Sequence, residues 1–269
     1  MDIESEYNNR ARVPGSAEII AGWAREAEAF RATWARKTLD LPYGAGPRER
    51  LDLFEPDSDG PVAVFIHGGY WQALDKSFAS HCARGLVLRG VPVAVPSYDL
   101  CPHVPLARIV TQMQAACVML HRRTGRRLLV AGHSAGGQLA AMLMGTDWQA
   151  IDPALPAGLV GAALPISGVF EIEPLLPTTI GRGLNLTAAE ARALSPRWQA
   201  TAPGELHCVV GGAESDEFRR QTRDFAAAWG GTAEELPGAN HFTVLDPFPD
   251  PAHPLVAHAA AMAGRLARG

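Results

Sequence analysis

Three short stretches of the sequence carry residue types that could together transfer an acyl group. Gly132-His133-Ser134-Ala135-Gly136 follows the pattern G-x-S-x-G, which holds a serine on a sharp strand-to-helix turn with its hydroxyl exposed. An apolar strand at 128–131 precedes it and an alanine-rich helix at 138–144 follows it. Side chains at the glycine positions would collide with that strand and helix. The turn leaves Ser134 at a helix N-terminus, where negative charge is stabilised. A phosphate-binding loop is the other use of such glycines, but Gly132 and Gly136-Gly137 do not make G-x-G-x-x-G, and no G-K-[ST] occurs. Ser134 is the candidate nucleophile.

The second stretch is His67-Gly68-Gly69-Tyr70-Trp71, directly after the apolar run Val62–Ile66. Acyl transfer passes through a tetrahedral oxyanion, and each preorganised N–H donor aimed at it lowers the barrier by about 3–4 kcal/mol. Glycine lets the backbone approach that charge closely. Gly68 and Gly69 are the expected donors, with the N–H of Ala135 completing the hole.

The third element is an acid and a base, expected in the chain order serine, acid, histidine. After the strand at 206–210 comes Gly211-Gly212-Ala213-Glu214-Ser215-Asp216-Glu217. Glu217 suits the start of the next helix. Glu214 lies nearer the strand end and is preferred as the acid, with Asp216 as the alternative. His241, in Gly238-Ala239-Asn240-His241-Phe242, is the expected base. His133 and His67 belong to the two glycine motifs and read as structural. His253 and His258 lie beyond a proline-rich stretch and are five apart, which does not make a helical metal pair.

The rest of the chain must position these groups. Its 269 residues suffice for one large α/β domain, and 47% hydrophobic with 19% charged residues is an ordinary globular balance. A net charge of −4 gives no nucleic-acid footprint. Arg122, Arg123, Arg126 and Arg127 read as a solvated helix C-terminus. No apolar run approaches the roughly 18 residues of a membrane span, and no secretory signal is visible. The scattered cysteines (Cys82, Cys101, Cys117, Cys208) read as reduced, mostly buried thiols of a cytoplasmic protein. Neither a metal nor a cofactor is expected.

Helical periodicity with an aromatic stripe (Trp23, Phe30, Trp34) covers 16–39. Leu51-Asp52-Leu53-Phe54 reads as a strand, and Pro56-Asp57-Ser58-Asp59-Gly60-Pro61 as a hairpin or sharp connection. Strands at 62–66, 91–95, 127–131, 159–166, 206–210 and 232–236 alternate with helices at 76–89, 106–124, 135–145, 217–229 and about 255–267. That rhythm predicts a mainly parallel sheet with helices on both faces. Residues 171–204, broken by prolines and glycines, form either a lid insertion or plain connecting structure, with only 187–194 helical. The expected organisation is one domain over 1–269, with 1–42 as an N-terminal helical segment packed on it.

Together, H-G-G-Y-W at 67–71, S-Y-D-L-x-P at 97–102 and G-H-S-A-G-G-Q-L-A at 132–140 resemble the hormone-sensitive-lipase-like branch of the α/β hydrolases, and within it the kynurenine formamidases (arylformamidases). The likeness continues through 166–175 and 217–221 and covers roughly residues 43–245. The family places its triad acid four residues before the phenylalanine of the last segment, often as aspartate. Here that position is Glu214. Tyr7-Asn8-Asn9-Arg10 is a candidate to fold back towards the site.

The resemblance implies attack by Ser134 on the formyl carbon of an N-formyl arylamine such as N-formylkynurenine, in tryptophan breakdown. A formyl-enzyme would follow and water would release formate. Tyr70 and Trp71 are candidate aromatic walls for the substrate, with core packing as their other reading. The same groups would serve a carboxylesterase on small aryl or short-acyl esters. A non-catalytic ligand receptor is the remote third reading, disfavoured because serine, histidine and acid are all retained. The expected partner is a small aryl formamide or ester, with neither nucleic acid nor membrane; a homodimer is left open.

Overall fold

The computed structural model describes residues 2–57 and 60–266. Among these residues eight strands form one sheet: β1 (Lys37–Pro42), β2 (Arg50–Phe54), β3 (Val62–Ile66), β4 (Val93–Pro96), β5 (Leu128–His133), β6 (Val160–Ile166), β7 (Glu205–Gly211) and β8 (Thr232–Leu236). Their order is β1-β2-β4-β3-β5-β6-β7-β8. The pairs β1/β2 and β2/β4 are antiparallel, and every other pair is parallel. The central strands β3, β5 and β6 are buried at every position, as apolar runs covered on both faces should be.

The α-helices are α1 (Ile3–Tyr7), α2 (Asn9–Arg12), α3 (Ser16–Thr33), α4 (Arg84–Leu88), α5 (Leu106–Thr124), α6 (Ala135–Met144), α7 (Trp148–Ile151), α8 (Thr179–Arg182), α9 (Ala188–Ala193), α10 (Asp216–Ala228) and α11 (Pro254–Leu266). Two apolar cores result, one on each face of the sheet. Leu106, Ile109, Met113, Cys117 and Leu120 of α5 face one core, together with α6 and Phe218 and Phe225 of α10. Trp23 and Phe30 of α3 and Leu255, Val256 and Met262 of α11 face the other.

Periodicity placed α5 at its observed limits and β3 likewise. The first long helix stops earlier than expected, at Thr33, and 37–42 becomes the edge strand β1. Its residues are half-buried or exposed, so it carries little hydrophobic pattern; pairing with β2 defines it. The expected helix at 76–89 is two 3₁₀ turns followed by the short α4. There Ser80 Oγ donates to the Lys76 carbonyl, a local bond that competes with the helical ladder. β2 pairs with β1 and β4, so 56–61 is a connection and not a hairpin; its residues 58 and 59 lie outside the described residues. The 171–204 segment holds α8 and α9 separated by turns.

One steric contact sets the spacing between β3, β5 and α6. A Cβ on Gly136 would stand 2.1 Å from the Ile66 carbonyl oxygen and 2.7 Å from that of His67. Helix α6 can therefore lie directly on the end of β3 only with glycine there. Gly136→Ala is expected to destabilise the fold by about 1–3 kcal/mol, the usual cost of overpacking. A drop in the urea midpoint would register it; an unchanged midpoint would mean that α6 can back away freely.

Candidate active site

Ser134 stands between β5 and α6 with φ 56° and ψ −115°, outside the usual regions for a side-chain-bearing residue. It is held there by its own N–H, which donates to the Ile166 carbonyl at 2.8 Å, and by Gly137 N, which donates to its carbonyl at 2.9 Å. Tyr70, Trp71, Leu74 and Ser167 also have positive φ, so of the seven such non-glycine residues among the described residues five belong to the elbow, the glycine loop and the end of the strand beside them. Strain of this kind costs about 1–3 kcal/mol per residue and persists only where the surroundings impose it.

His241 Nδ1 lies 2.6 Å from Glu214 Oε2. A carboxylate only accepts, so Nδ1 carries the proton and Nε2 is left with a free lone pair. The second carboxylate oxygen accepts from Gly211 N at 2.7 Å and from Ser167 Oγ at 2.5 Å. The Glu214 side chain has no exposed surface and that of His241 has 4%. The imidazole packs against Phe218, with ring centroids 4.7 Å apart, and against His133, at 4.8 Å. Among the described residues no hydrogen bond joins Ser134 to the His241 ring, although both line one cavity. In resting hydrolases that contact commonly tightens only when substrate binds.

Asp216, the alternative acid, sits apart from this cluster. Its side chain is 80% exposed and faces Arg219 at 3.5 Å. It begins α10, with Ser215 as the N-cap. Glu217 is buried beneath the N-terminal helices, where Tyr7 Oη donates to it at 2.9 Å. The Arg220 guanidinium holds its carboxyl below the usual range against the opposing effect of burial.

The glycine loop after β3 is held by two aromatic side chains. Tyr98 Oη donates to the His67 carbonyl at 2.9 Å, and the His67 ring stacks on Tyr98 at 4.2 Å. His67 Nδ1 lies 2.7 Å from the Gly68 carbonyl, to which it donates. In a trans peptide the N–H points opposite to the preceding carbonyl. Anchoring the carbonyls of His67 and Gly68 therefore turns the N–H groups of Gly68 and Gly69 the other way. Among the described residues those two groups and the N–H of Ala135 make no backbone hydrogen bond. Gly69 has φ +108°, and a Cβ there would lie 2.3 Å from the Ala73 carbonyl. Burial drives the His67 pKa down to about 4, so its ring is neutral and rigidly bonded.

These groups open onto a cavity of about 340 Å³ lined by Ser134, His241, Gly68, Gly69 and Tyr70. Trp71, the other expected wall, does not line it. Its ring has no exposed surface and its Nε1 donates to Gln138 Oε1 at 3.1 Å, which anchors the loop to α6. The wall comes instead from Trp23, Leu74, Ile180 and Phe242. Trp23 packs edge-on to His133 at 5.9 Å and against Phe242 at 5.8 Å. Its place in a helical stripe signalled packing, and nothing in that pattern pointed to a cavity. Asn8, Asn9 and Arg10 also line it, as the fold-back of that segment required. Ser167 was part of the family likeness but had no role assigned; its contact with Glu214 exists only in three dimensions.

Among the described residues no helix is long and apolar enough to cross a membrane, and no three His, Cys, Asp or Glu side chains converge as a metal cluster. The four cysteines are all buried and free.

The elbow, the buried histidine–carboxylate pair and the sheet order are those of an α/β hydrolase, and the sequence matches the alpha/beta hydrolase fold family over residues 63–241. The chain belongs to that family and is a serine-type hydrolase. Its similarity runs to the kynurenine formamidases: it is 32% identical to that of Salmo salar, covering 80% of this chain and 78% of the relative. It is 31% identical to the kynurenine formamidase of Danio rerio, with 82% and 80% covered. A crystal structure described as a candidate thioesterase from Silicibacter sp. superposes with a TM-score of 0.87 at 36% identity, covering 96% of this chain and 98% of that one.

Burial holds several histidines neutral: it brings His67 and His81 down to about 4, and it pushes His133 well below its ordinary value, with the neighbouring His241 adding to the effect. In the unfolded chain each takes its proton near the ordinary value of 6.5. Between these limits the unfolded chain binds more protons, so stability is full above pH 6.5 and is lost as pH falls towards 4. Urea midpoints measured from about pH 7.5 down to about pH 5 should fall steadily. A flat profile would contradict neutral burial of these rings.

Proposed function

We propose that this chain deformylates N-formyl arylamines of the N-formylkynurenine type, releasing the arylamine and formate through a formyl-enzyme on Ser134. The observation that carries the reading is the buried Glu214–His241 pair opening onto one cavity with Ser134 and the glycine loop. The likeness to kynurenine formamidases supplies the substrate class.

In this reading His241 Nε2 takes the Ser134 proton as Oγ attacks the formyl carbon. The oxyanion is received by the N–H groups of Gly68, Gly69 and Ala135. Collapse breaks the C–N bond, and the amine leaves with the proton from His241. Water then adds to the formyl ester, giving its proton to the same nitrogen, and formate departs as Ser134 recovers its hydrogen. Glu214 fixes the tautomer and stabilises the imidazolium. The chemistry of these steps uses side chains and backbone alone.

A second reading, hydrolysis of small esters or thioesters, is favoured by the similarity to the structure described as a candidate thioesterase. The same proton path serves both; the leaving group differs. Measuring kcat/KM for N-formylkynurenine beside p-nitrophenyl acetate and butyrate separates them. Preference for the formyl anilide by about two decades, roughly 3 kcal/mol in transition-state binding, supports the proposal. Efficient ester cleavage with negligible deformylation would replace it by the second reading.

Ser134→Ala should abolish turnover. Glu214→Ala should lower kcat by about 10³–10⁴-fold, as loss of the orienting acid does in other triads. Asp216→Ala, on an exposed side chain, should leave it nearly unchanged. The reverse order for the two acids would overturn the triad assignment.

A further inference from the structure

The residues lining the cavity are unequal in charge. Histidines aside, Arg10 is the one formally charged lining residue among the described residues, and no described aspartate or glutamate joins it. Ile20, Trp23, Leu74, Ile180 and Phe242 supply apolar walls. Arg10 is exposed, and among the described residues its guanidinium makes no ion pair or hydrogen bond. Two residues on, Arg12 stands 3.9 Å from Glu6.

The backbone that carries Arg10 is tied down on both sides. Asn8 caps α2, its Oδ1 accepting from Ala11 N at 3.2 Å. Ser16 Oγ donates to the Arg10 carbonyl at 3.0 Å. Tyr70 Oη donates to the Tyr7 carbonyl, and Asn9 Nδ2 donates to the Tyr70 oxygen at 3.3 Å. Asn9 Oδ1 finds no donor but is sealed from solvent, so it does not meet a ligand. Thus Tyr70, on the glycine loop, is bonded to the same turn that presents Arg10. A fixed main chain with an uncommitted guanidinium at an apolar-walled opening is a receptor for a planar anion. Guanidinium–carboxylate pairs form two parallel N–H···O bonds and strengthen as water is excluded.

We propose that Arg10 is an anion subsite of this cavity, selecting substrates that carry a carboxylate apart from the bond being cleaved. The inference rests on the reading that substrate binds beside Ser134, and it narrows the substrate class to aryl amides or esters that bear a carboxylate. An amino-acid side chain on the aryl ring meets that requirement; a plain formanilide does not. The N-terminal segment is then a specificity element, although it lies outside the stretch that matches the family.

The test compares ligands with and without the carboxylate-bearing group. Kinetics of N-formylkynurenine and formanilide are measured for the natural protein, Arg10→Gln and Arg10→Lys. In parallel, L-kynurenine and 2-aminoacetophenone, the same aryl ketone without its amino-acid group, are titrated by calorimetry. Arg10→Gln should raise KM for N-formylkynurenine and weaken L-kynurenine binding by about 10- to 100-fold, the worth of a charge-assisted contact, with kcat nearly unchanged. Formanilide and 2-aminoacetophenone should change by less than about twofold, and Arg10→Lys should recover part of the loss. Equal losses for charged and neutral ligands would show a merely structural role and overturn the proposal. So would the absence of any preference of the natural protein for the carboxylate-bearing ligand. Arg10-dependent binding of L-kynurenine without deformylation would overturn the proposed reaction and leave the subsite standing. Deformylation with KM unaffected by Arg10→Gln would do the opposite.

Discussion

A carboxylate with none of its side chain exposed must find a partner for each oxygen, and Glu214 finds three. His241, Ser167 and Gly211 converge on it from the loop before the last helix, the end of β6 and the end of β7. Removing one member of a buried, hydrogen-bonded pair costs about 3–5 kcal/mol, because the remaining polar group is stranded. The ends of two neighbouring strands and a distant loop are thereby held in one arrangement. The position of the imidazole follows from it, with the Phe218 and His133 rings packed against it.

The backbone around Ser134 shows the same economy. Positive φ values at Ser134, Tyr70, Trp71, Leu74 and Ser167 are unfavourable singly. Trp71 is locked to Gln138 of α6, His67 and Tyr98 hold the carbonyls of the glycine loop, and Gly136 lets α6 rest on the end of β3. Donors that are already aimed need no reorganisation when charge develops, which is where catalytic power in such sites chiefly comes from. Stability given up in these few residues is balanced by the two apolar cores on either face of the sheet.

The cavity itself belongs to no single segment. Its floor is the elbow and the glycine loop, while its walls come from the first 23 residues, from Leu74, from the α8 region and from Phe242. Tyr7 links these parts: its hydroxyl meets Glu217 and Gln221 of α10, its carbonyl accepts from Tyr70, and its ring packs edge-on to Phe218, the residue against His241. Cover and site are thus joined twice: α1 reaches His241 through Phe218 of α10, and α3 reaches it from Trp23 through His133.

Much of this was legible before any coordinates. Unbroken apolar runs at β3 and β5, the three-and-four spacing of α5 and the glycine patterns at 67–69 and 132–136 are local signals, each set by the few residues around it. They determined the α/β architecture and the candidates Ser134, Gly68, Gly69, Glu214 and His241. Edge strand β1 was not legible, because a half-exposed strand has no pattern apart from its partner. Trp71 as core and Trp23 as cavity wall were not legible either, since an aromatic side chain favours burial equally in both places. Ser167 at Glu214 and Arg10 at the cavity depend on contacts spanning 47 residues in one case and the whole domain in the other. Residue type and spacing specify which groups can react; only the packed fold decides which of them share a volume, because burial and hydrogen-bond satisfaction are settled between segments far apart in the chain.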